Sequence, residues 1–361
     1  MARSHPSDGH PRLRPGSRLV VGCGYLGERV ARAWLKSGSP VVGVTRRAAR
    51  GAELKAIGIE PAVLDVTAAD SAWSALFAEI GCPATVFWGV GFDRTAGRSH
   101  RDVHVDGFRN LLDALAAAAG GAPPPRIIFS SSTGVWGDEG GGIVNESTPP
   151  NPSREAGRVL VAAESMLAAH PLGSGTALRF AGLYGPDRLP RLDDLRAGRP
   201  IAADPESWLN LIHVDDAATI VCGVADAASP QPLYVVSDGR PVRRREWYGR
   251  LAELTGSPAP AWDPEAPRTR GADKRVDPSL VFSDLAPTLA HPDSLAALAE
   301  LVPVGGPETD SRAARGLTAS RLVPEPAASR PIGPYGTELS EGLPVPREPA
   351  YDDERSQDGE A

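Results

Sequence analysis

The chain has 361 residues, 41% hydrophobic and 23% charged, an ordinary globular composition with room for one large domain or two small ones. Its 38 basic and 45 acidic residues leave a net charge of −7, which gives no reason to expect a nucleic-acid partner. No apolar run approaches the roughly 20 residues of a membrane helix, so no membrane partner is expected either. The N-terminus, MARSHPSDGHPRLRPG, lacks the hydrophobic segment of a secretory signal. Cys23, Cys82 and Cys222 are too widely spaced for a zinc pattern or a disulfide framework. A reduced, cytoplasmic protein without a metal site is the expectation. Only three lysines occur, Lys36, Lys55 and Lys274, so chemistry that needs a lysine has three places to find one.

Residues 1–16 carry no periodic pattern and are expected to be a disordered extension. From residue 17 onward, short apolar runs alternate with segments of helical spacing. The runs, at 18–21, 41–44, 62–64, 85–90, 126–130, 177–180 and 233–236, read as strands buried on both faces of a parallel sheet. The first runs straight into Gly22-Cys23-Gly24-Tyr25-Leu26-Gly27, followed by a helical stripe of Leu26, Val30, Ala33 and Trp34 that stops at Gly38 and Pro40. A strand, a GxGxxG turn and an amphipathic helix in that order form a dinucleotide-binding pattern. The first glycine makes the turn, the second lets the backbone approach a pyrophosphate, and the third brings helix and strand together. The helix N-terminus adds free N–H groups and a favourable dipole. Tyr25 and Leu26 serve either as cofactor contacts or as packing.

After the second strand, where NAD-binding proteins usually place an acid for the ribose hydroxyls, the chain has Val44-Thr45-Arg46-Arg47. Guanidinium groups pair with a 2′-phosphate, so Arg46 and Arg47 point to NADP over NAD. The third strand ends in Leu64-Asp65-Val66-Thr67, whose acid either accepts from an adenine amino group or caps a turn. The fourth leads through Gly89 and Gly91, which let the chain pass close to a dinucleotide. A second helical stripe follows at Val105, Phe108, Leu111, Leu112 and Leu115, and a third at Trp247, Leu251 and Leu254. This alternation predicts an α/β fold, a Rossmann-type doubly wound parallel sheet. Residues 303–361 hold nine of the 36 prolines and 11 acidic residues against six arginines, and are expected to be a disordered acidic tail.

Six phrases then fall in order: VGCGYLG at 21–27, VHVDGFRNLL at 103–112, IIFSSSTGVWGD at 127–138, NESTPPNP at 145–152, LRFAGLYGPDR at 178–188 and NLIHVDD at 210–216. Together they resemble the extended short-chain dehydrogenase/reductase superfamily, the NAD-dependent epimerase/dehydratase group, over about residues 17–287. Within it the chain looks most like the atypical branch with GxGxxG. The resemblance implies one NAD(P)-binding domain over 17–302, with a small C-terminal substrate lobe mainly at 185–302. It also implies a catalytic trio: a serine after the fifth strand and a Tyr-x-x-x-Lys pair about 25 residues later, tyrosine moving the proton and lysine holding the nicotinamide ribose.

Ser132 stands at the serine position, where it either faces substrate or satisfies a turn. The pair is missing. Ala156 stands at the tyrosine position and Leu160 at the lysine position, with no tyrosine between 26 and 183 and no lysine between 56 and 273. Arg158 lies two residues from each and points away from their face. Tyr184 either reaches substrate as a proton donor or plugs the lobe. Trp136, Arg179 and Asn210 are the candidate substrate contacts. His213 and Asp216 belong to a phrase that is mostly architectural in the superfamily, and His104 is expected as a structural hydrogen-bonding residue. Two functions follow as expectations: an NADP-linked oxidoreductase or epimerase on a sugar-nucleotide-like or other small hydroxyl or carbonyl substrate, or a non-catalytic NADP-binding sensor or partner protein. A homodimer through the helices around 105–117 and 157–169 is also expected.

Overall fold

Seven of the short apolar runs pair side by side into one sheet in the computed structural model, which describes residues 16–173, 175–265 and 272–302. The strands are β1 (Arg18–Val21), β2 (Val41–Thr45), β3 (Glu60–Val63), β4 (Thr85–Trp88), β5 (Arg126–Ser132), β6 (Gly175–Phe180) and β7 (Leu233–Val236). All pair in parallel, in the order β7-β6-β5-β4-β1-β2-β3. The order reverses between β1 and β4, the switch point at which doubly wound sheets open a crevice for ligands. The expectations for the N-terminal extension, short of Gly16, and for the tail from 303 lie outside the described residues.

Helices α1 (Gly27–Lys36), α2 (Ala48–Ala56), α3 (Asp70–Ile80), α4 (Gly107–Ala119) and α5 (Glu155–Ala169) cross over the sheet, and the helix Val214–Asp226 packs beside α1. One face of the sheet is covered by Val30, Trp34, Ile220, Val224 and Tyr234. The other is covered by Trp88, Phe108, Leu111, Leu115 and Leu167. Burial on both faces explains why the strands read as continuous apolar runs rather than alternating ones. Boundaries differ by a few residues: the third strand begins at Glu60, the fourth ends at Trp88, and the fifth runs on to Ser132. In α1 the buried set is Gly27, Val30, Ala31 and Trp34, with Ala33 exposed. At 100° per residue Val30, Trp34, Gly27 and Ala31 follow one another around a single arc, and Ala33 lies beyond its Val30 end.

A separate apolar cluster of Tyr184, Leu195, Ile201, Trp247, Leu251 and Leu298 forms the core of the C-terminal lobe. The interval 185–302 is not all lobe, because the helix Val214–Asp226 and β7 return to the sheet. Arg126, on β5, donates to the carbonyls of Val224 (2.9 Å) and Ala225 (2.8 Å), fastening the C-terminal end of that helix to the sheet. Both sheet edges are blunted. Pro61 in β3 has no N–H to offer, and on β7 the Val235 N–H donates to Glu146 Oε1 (2.7 Å). Among the described residues no helix is long and apolar enough to cross a membrane.

Candidate dinucleotide and substrate site

The loop between β1 and α1 is shaped by its glycines. Gly22 has φ +89°, and a Cβ there would lie 2.7 Å from the Val90 Cα. A Cβ on Gly27 would lie 2.2 Å from the Gly22 carbonyl oxygen. Both positions exclude any side chain. Gly24 is different, since a Cβ there would meet nothing within 4 Å. Its lack of a side chain answers no crowding within the protein and leaves the backbone bare. Beside it α1 begins after Leu26, an N-cap that makes no side-chain hydrogen bond; the Glu28 N–H donates to the Gly24 carbonyl (3.0 Å), and the N–H groups ahead of it and the positive end of the helix are left for an anion. These features fit a pyrophosphate.

The loop's other side chains turn inward. Cys23 donates to the Val20 carbonyl (3.8 Å), and burial pushes its thiol up to about 12, so it offers only backbone to a ligand. Leu26 lies in the sheet core. The Tyr25 ring sits between the guanidiniums of Arg29 (4.5 Å) and Arg188 (5.2 Å), and its hydroxyl is buried without a hydrogen-bond partner. One contributor is absent from the sequence expectations. Arg50, on α2, donates to the Cys23 carbonyl (3.3 and 3.2 Å) and pairs with Glu28 in the first turn of α1. In sequence it is one more surface-type arginine, with no signal of its own.

At the end of β2, Arg46 pairs with Asp93, both about two-fifths exposed, and Arg47 is exposed. Asp65 Oδ1 accepts from the Thr67 N–H (2.9 Å) and hydroxyl (2.8 Å). These bonds outweigh its partial burial and hold the carboxyl below the usual range. Val66 packs partly buried, with its carbonyl against Gly107, and Gly89 is required here by the Phe87 ring, which lies 2.6 Å from a would-be Cβ.

The far end is organised by α5. Ser132 closes β5, and its hydroxyl accepts from the Gly134 N–H (3.1 Å), capping the turn Thr133–Val135. The first turn of α5 docks on that turn, where a Cβ on Gly157 would lie 2.5 Å from the Gly134 carbonyl oxygen. Ala156 and Leu160 follow on the face expected for the tyrosine and lysine, and Leu160 packs into the apolar clusters on either side. Arg158 is exposed, as its register predicts. One turn beyond Leu160, Glu164 accepts from the Ser131 hydroxyl (2.5 Å) and from Arg179 Nε (3.1 Å) and Nη2 (2.7 Å). Arg179 also stacks on Trp136 at 4.7 Å, and the indole donates to the Thr148 carbonyl (3.0 Å).

Three expected substrate contacts are therefore engaged inside the protein. Trp136 and Arg179 are 1% and 3% exposed, and an arginine already paired with a buried carboxylate is a structural strut. The amide of Asn210 is used at both ends, donating to the Lys274 carbonyl (2.8 Å) and accepting from the Val276 N–H (2.9 Å). Tyr184 is fully buried, edge-on to His213 and Trp247, with its hydroxyl unpartnered and burial pushing its pKa far up. It fills the lobe and does not present a phenol to the cleft. Lys274 lies at the back of the same region, donating to the carbonyls of Trp136 (3.2 Å) and Gly137 (3.4 Å), and burial pulls it down to about 8.

His213 Nδ1 accepts from the Asp215 N–H (3.3 Å), and Asp216 accepts from the N–H groups of Ala290 (2.6 Å) and His291 (2.9 Å), both architectural bonds. His213, Asp215 and His291 offer possible metal ligands within 4.8 Å of one another. The two rings lie face to face at 3.7 Å with a 38° tilt, so their lone pairs do not converge, and Arg29 holds Asp215 at 2.7 Å. His104 departs from expectation. It lies in the π-helical turn Asp102–Asp106 beside α5, 6% exposed, and its Nδ1 is buried with no hydrogen-bond partner. His100 lies one turn earlier, its ring stacked on Phe92.

A parallel sheet with this strand order, a bare glycine loop at its switch point and a serine closing β5 define a dinucleotide-binding protein of short-chain dehydrogenase type. The sequence profile of the NAD dependent epimerase/dehydratase family matches residues 18–237, and the chain belongs to that family. It is similar to Protein YeeZ of Escherichia coli (strain K12), with 31% identity over 284 residues that cover 76% of this chain and 96% of that protein. Among solved structures it resembles a putative NAD-dependent epimerase/dehydratase from Methylobacillus flagellatus, with 28% identity, TM-score 0.63, and coverage of 79% of this chain and 97% of that one. The UDP-glucose 4-epimerase of Thermus thermophilus, solved with NAD, shares the fold at TM-score 0.65 and 20% identity, with 79% and 98% of the two chains covered.

Proposed function

We propose that this chain is an NADP-linked oxidoreductase or epimerase acting on a hydroxyl or carbonyl substrate of sugar-nucleotide type. The observation that carries the reading is the glycine loop: a bare Gly24, beside which no protein atom would meet a Cβ within 4 Å, next to the uncapped start of α1. In this reading the backbone of 22–27 holds the pyrophosphate and Asp65 accepts from the adenine. Arg46 and Arg47 take the 2′-phosphate, Arg46 leaving Asp93 to do so, and no acid after β2 opposes them. The bound dinucleotide supplies or accepts a hydride. Ser132 donates to the substrate oxygen once its hydroxyl turns from the Gly134 N–H. The sugar-nucleotide class is supported by fold neighbours described with UDP-glucose. Titration calorimetry with NADPH and NADH tests the cofactor, and equal affinities would overturn the NADP assignment.

A second reading is favoured by Ala156 and Leu160. Without the phenol and ammonium, the chain binds NADPH as a sensor or partner protein and turns nothing over. Steady NADPH consumption with sugar-nucleotide, aldehyde or ketone panels would exclude it. In either reading we place a homodimer contact on α4 and α5, whose outward faces carry the alanines 116–118 and 168–169. A monomer mass by light scattering at micromolar concentration would remove that contact.

A further inference from the structure

The face of α5 that lacks a tyrosine is not without a titratable neighbour. Ser99 and Asp102 form a reciprocal helix cap: the Ser99 N–H donates to Asp102 Oδ2 (2.8 Å) and the Asp102 N–H to Ser99 Oγ (3.1 Å). The cap fixes His100 as the first residue of the turn that leads to His104. Its ring is stacked on Phe92, centroids 3.5 Å apart and planes within 18°, and lies 6.1 Å from the His104 ring at 22°. Phe92 follows the Gly89–Gly91 passage at the end of β4, and the π-helical turn that carries His104 packs against α5. A π-turn of this kind marks functional sites more often than plain helix does. The charged groups facing His100 are Glu155 from α5, the residue before Ala156, Arg94 from the turn Arg94–Ala96, and His104 on its own turn.

We propose that His100 is the proton-exchanging residue of this site, standing in for the phenol absent at Ala156. This rests on the dinucleotide reading above. His100 is half-buried, whereas His104 is enclosed. Burial lowers both imidazoles, His104 to about 4, so at neutral pH His104 is uncharged and a proton on the pair resides on His100. In the reductive direction His100 gives its proton to the substrate oxygen while the carbonyl carbon accepts hydride from the reduced nicotinamide. The products are a hydroxyl, the oxidised nicotinamide and a neutral imidazole, which regains its proton from water. In the oxidative direction the neutral ring takes the hydroxyl proton as the hydride leaves.

The two redox forms of the nicotinamide differ by one positive charge, and an imidazole close to the ring feels that difference. Histidine-labelled full-length protein is titrated by NMR between pH 5.5 and 8.5, saturated with NADPH and separately with NADP⁺. His100 is assigned by the signal lost in His100→Gln. We expect its midpoint to lie lower with NADP⁺ by about half to one pH unit. The same midpoint in both complexes overturns the proposal. Absence of binding by either dinucleotide overturns the cofactor reading, and this proposal with it. As a second measurement, His100→Gln should keep the NADPH affinity of the wild type and lower any turnover on aldehyde or ketone panels at least tenfold. Binding kept with turnover undiminished also overturns it.

Discussion

The turn from β1 into α1 and the turn from β5 toward α5 sit at the same carboxyl-terminal end of one parallel sheet, and they differ in what they leave open. Around Gly24 the polar groups are backbone, partly used within the loop (the Gly24 N–H on the Gly22 carbonyl at 2.8 Å, its carbonyl by the Glu28 N–H at 3.0 Å), and nothing stands within 4 Å of where a Gly24 side chain would be. Around Ser132 they are side chains, and most are already used: Ser131 and Arg179 on Glu164, Trp136 on Thr148, and Asn210 on Lys274 and Val276. A polar residue near a catalytic position is therefore not free for chemistry by virtue of its place. The first end is arranged to receive a ligand. The second is largely a cross-linked wall, and His100, at the start of the turn packed against α5, is half-buried beside the exposed Glu155.

Breaking the wall should have the largest effect. Arg179→Ala leaves the mostly covered Glu164 carboxylate with the Ser131 hydroxyl but no cation, and losing one member of such a pair typically costs about 3–5 kcal/mol, read as a lowered denaturant midpoint. A loss under about 1 kcal/mol would mean that Glu164 finds solvent and the cluster is not a strut.

Within the lobe the next effect belongs to Asp238, 6% exposed, whose carboxyl burial pushes up to about 7. Its folded value exceeds its unfolded one, so the protonated form is favoured in the folded state. Stability from this group falls as pH rises from about 4 to about 7 and is lowest above that. Asp238→Asn should stabilise the protein at pH 8 by about 2–4 kcal/mol and leave it unchanged near pH 4. A gain independent of pH would contradict the assignment.

The open end gives a cleaner separation. Gly24→Ala meets no protein atom within 4 Å, so melting should stay put. NADPH affinity should fall tenfold or more, about 1.4 kcal/mol, because the new methyl occupies the ligand's approach. Unchanged affinity would place the pyrophosphate elsewhere. The smallest effect expected is on choice of cofactor: Arg46→Ala with Arg47→Ala should lower the preference for NADPH over NADH by up to about tenfold in the same titration.

The contrast between the two ends also explains what could be read without a structure. The seven strands and the glycine loop were legible because buried parallel strands need unbroken apolar runs and Gly22 and Gly27 tolerate no side chain. The family phrases singled out Ser132, Ala156 and Leu160 as the positions expected to carry the catalytic trio. Partners were not legible. Arg50 on the Cys23 carbonyl, Glu164 under Ser131, and Lys274 beneath Trp136 are meetings between residues 27, 33 and 138 positions apart. Nothing in the local pattern distinguishes such residues from ordinary surface charge. Tyr184 was ambiguous for the same reason, since an aromatic ring reads alike at a cleft and in a core until its neighbours are known.

The blunted edges of the sheet have a consequence for self-association. A strand whose outward N–H is taken by a carboxylate, as at Val235 and Glu146, resists pairing with a second chain, and Pro61 weakens the opposite edge in the same way. Growth by adding sheet to sheet, the route to open-ended fibres, is disfavoured at both ends of the strand order. A twofold contact through helical faces, as proposed above for α4 and α5, would close on itself and stop. Glu146 thus shields the outward N–H of Val235 from a loop that also receives the Trp136 indole through Thr148. Its replacement by alanine would surface as precipitation on heating, before any change in ligand binding.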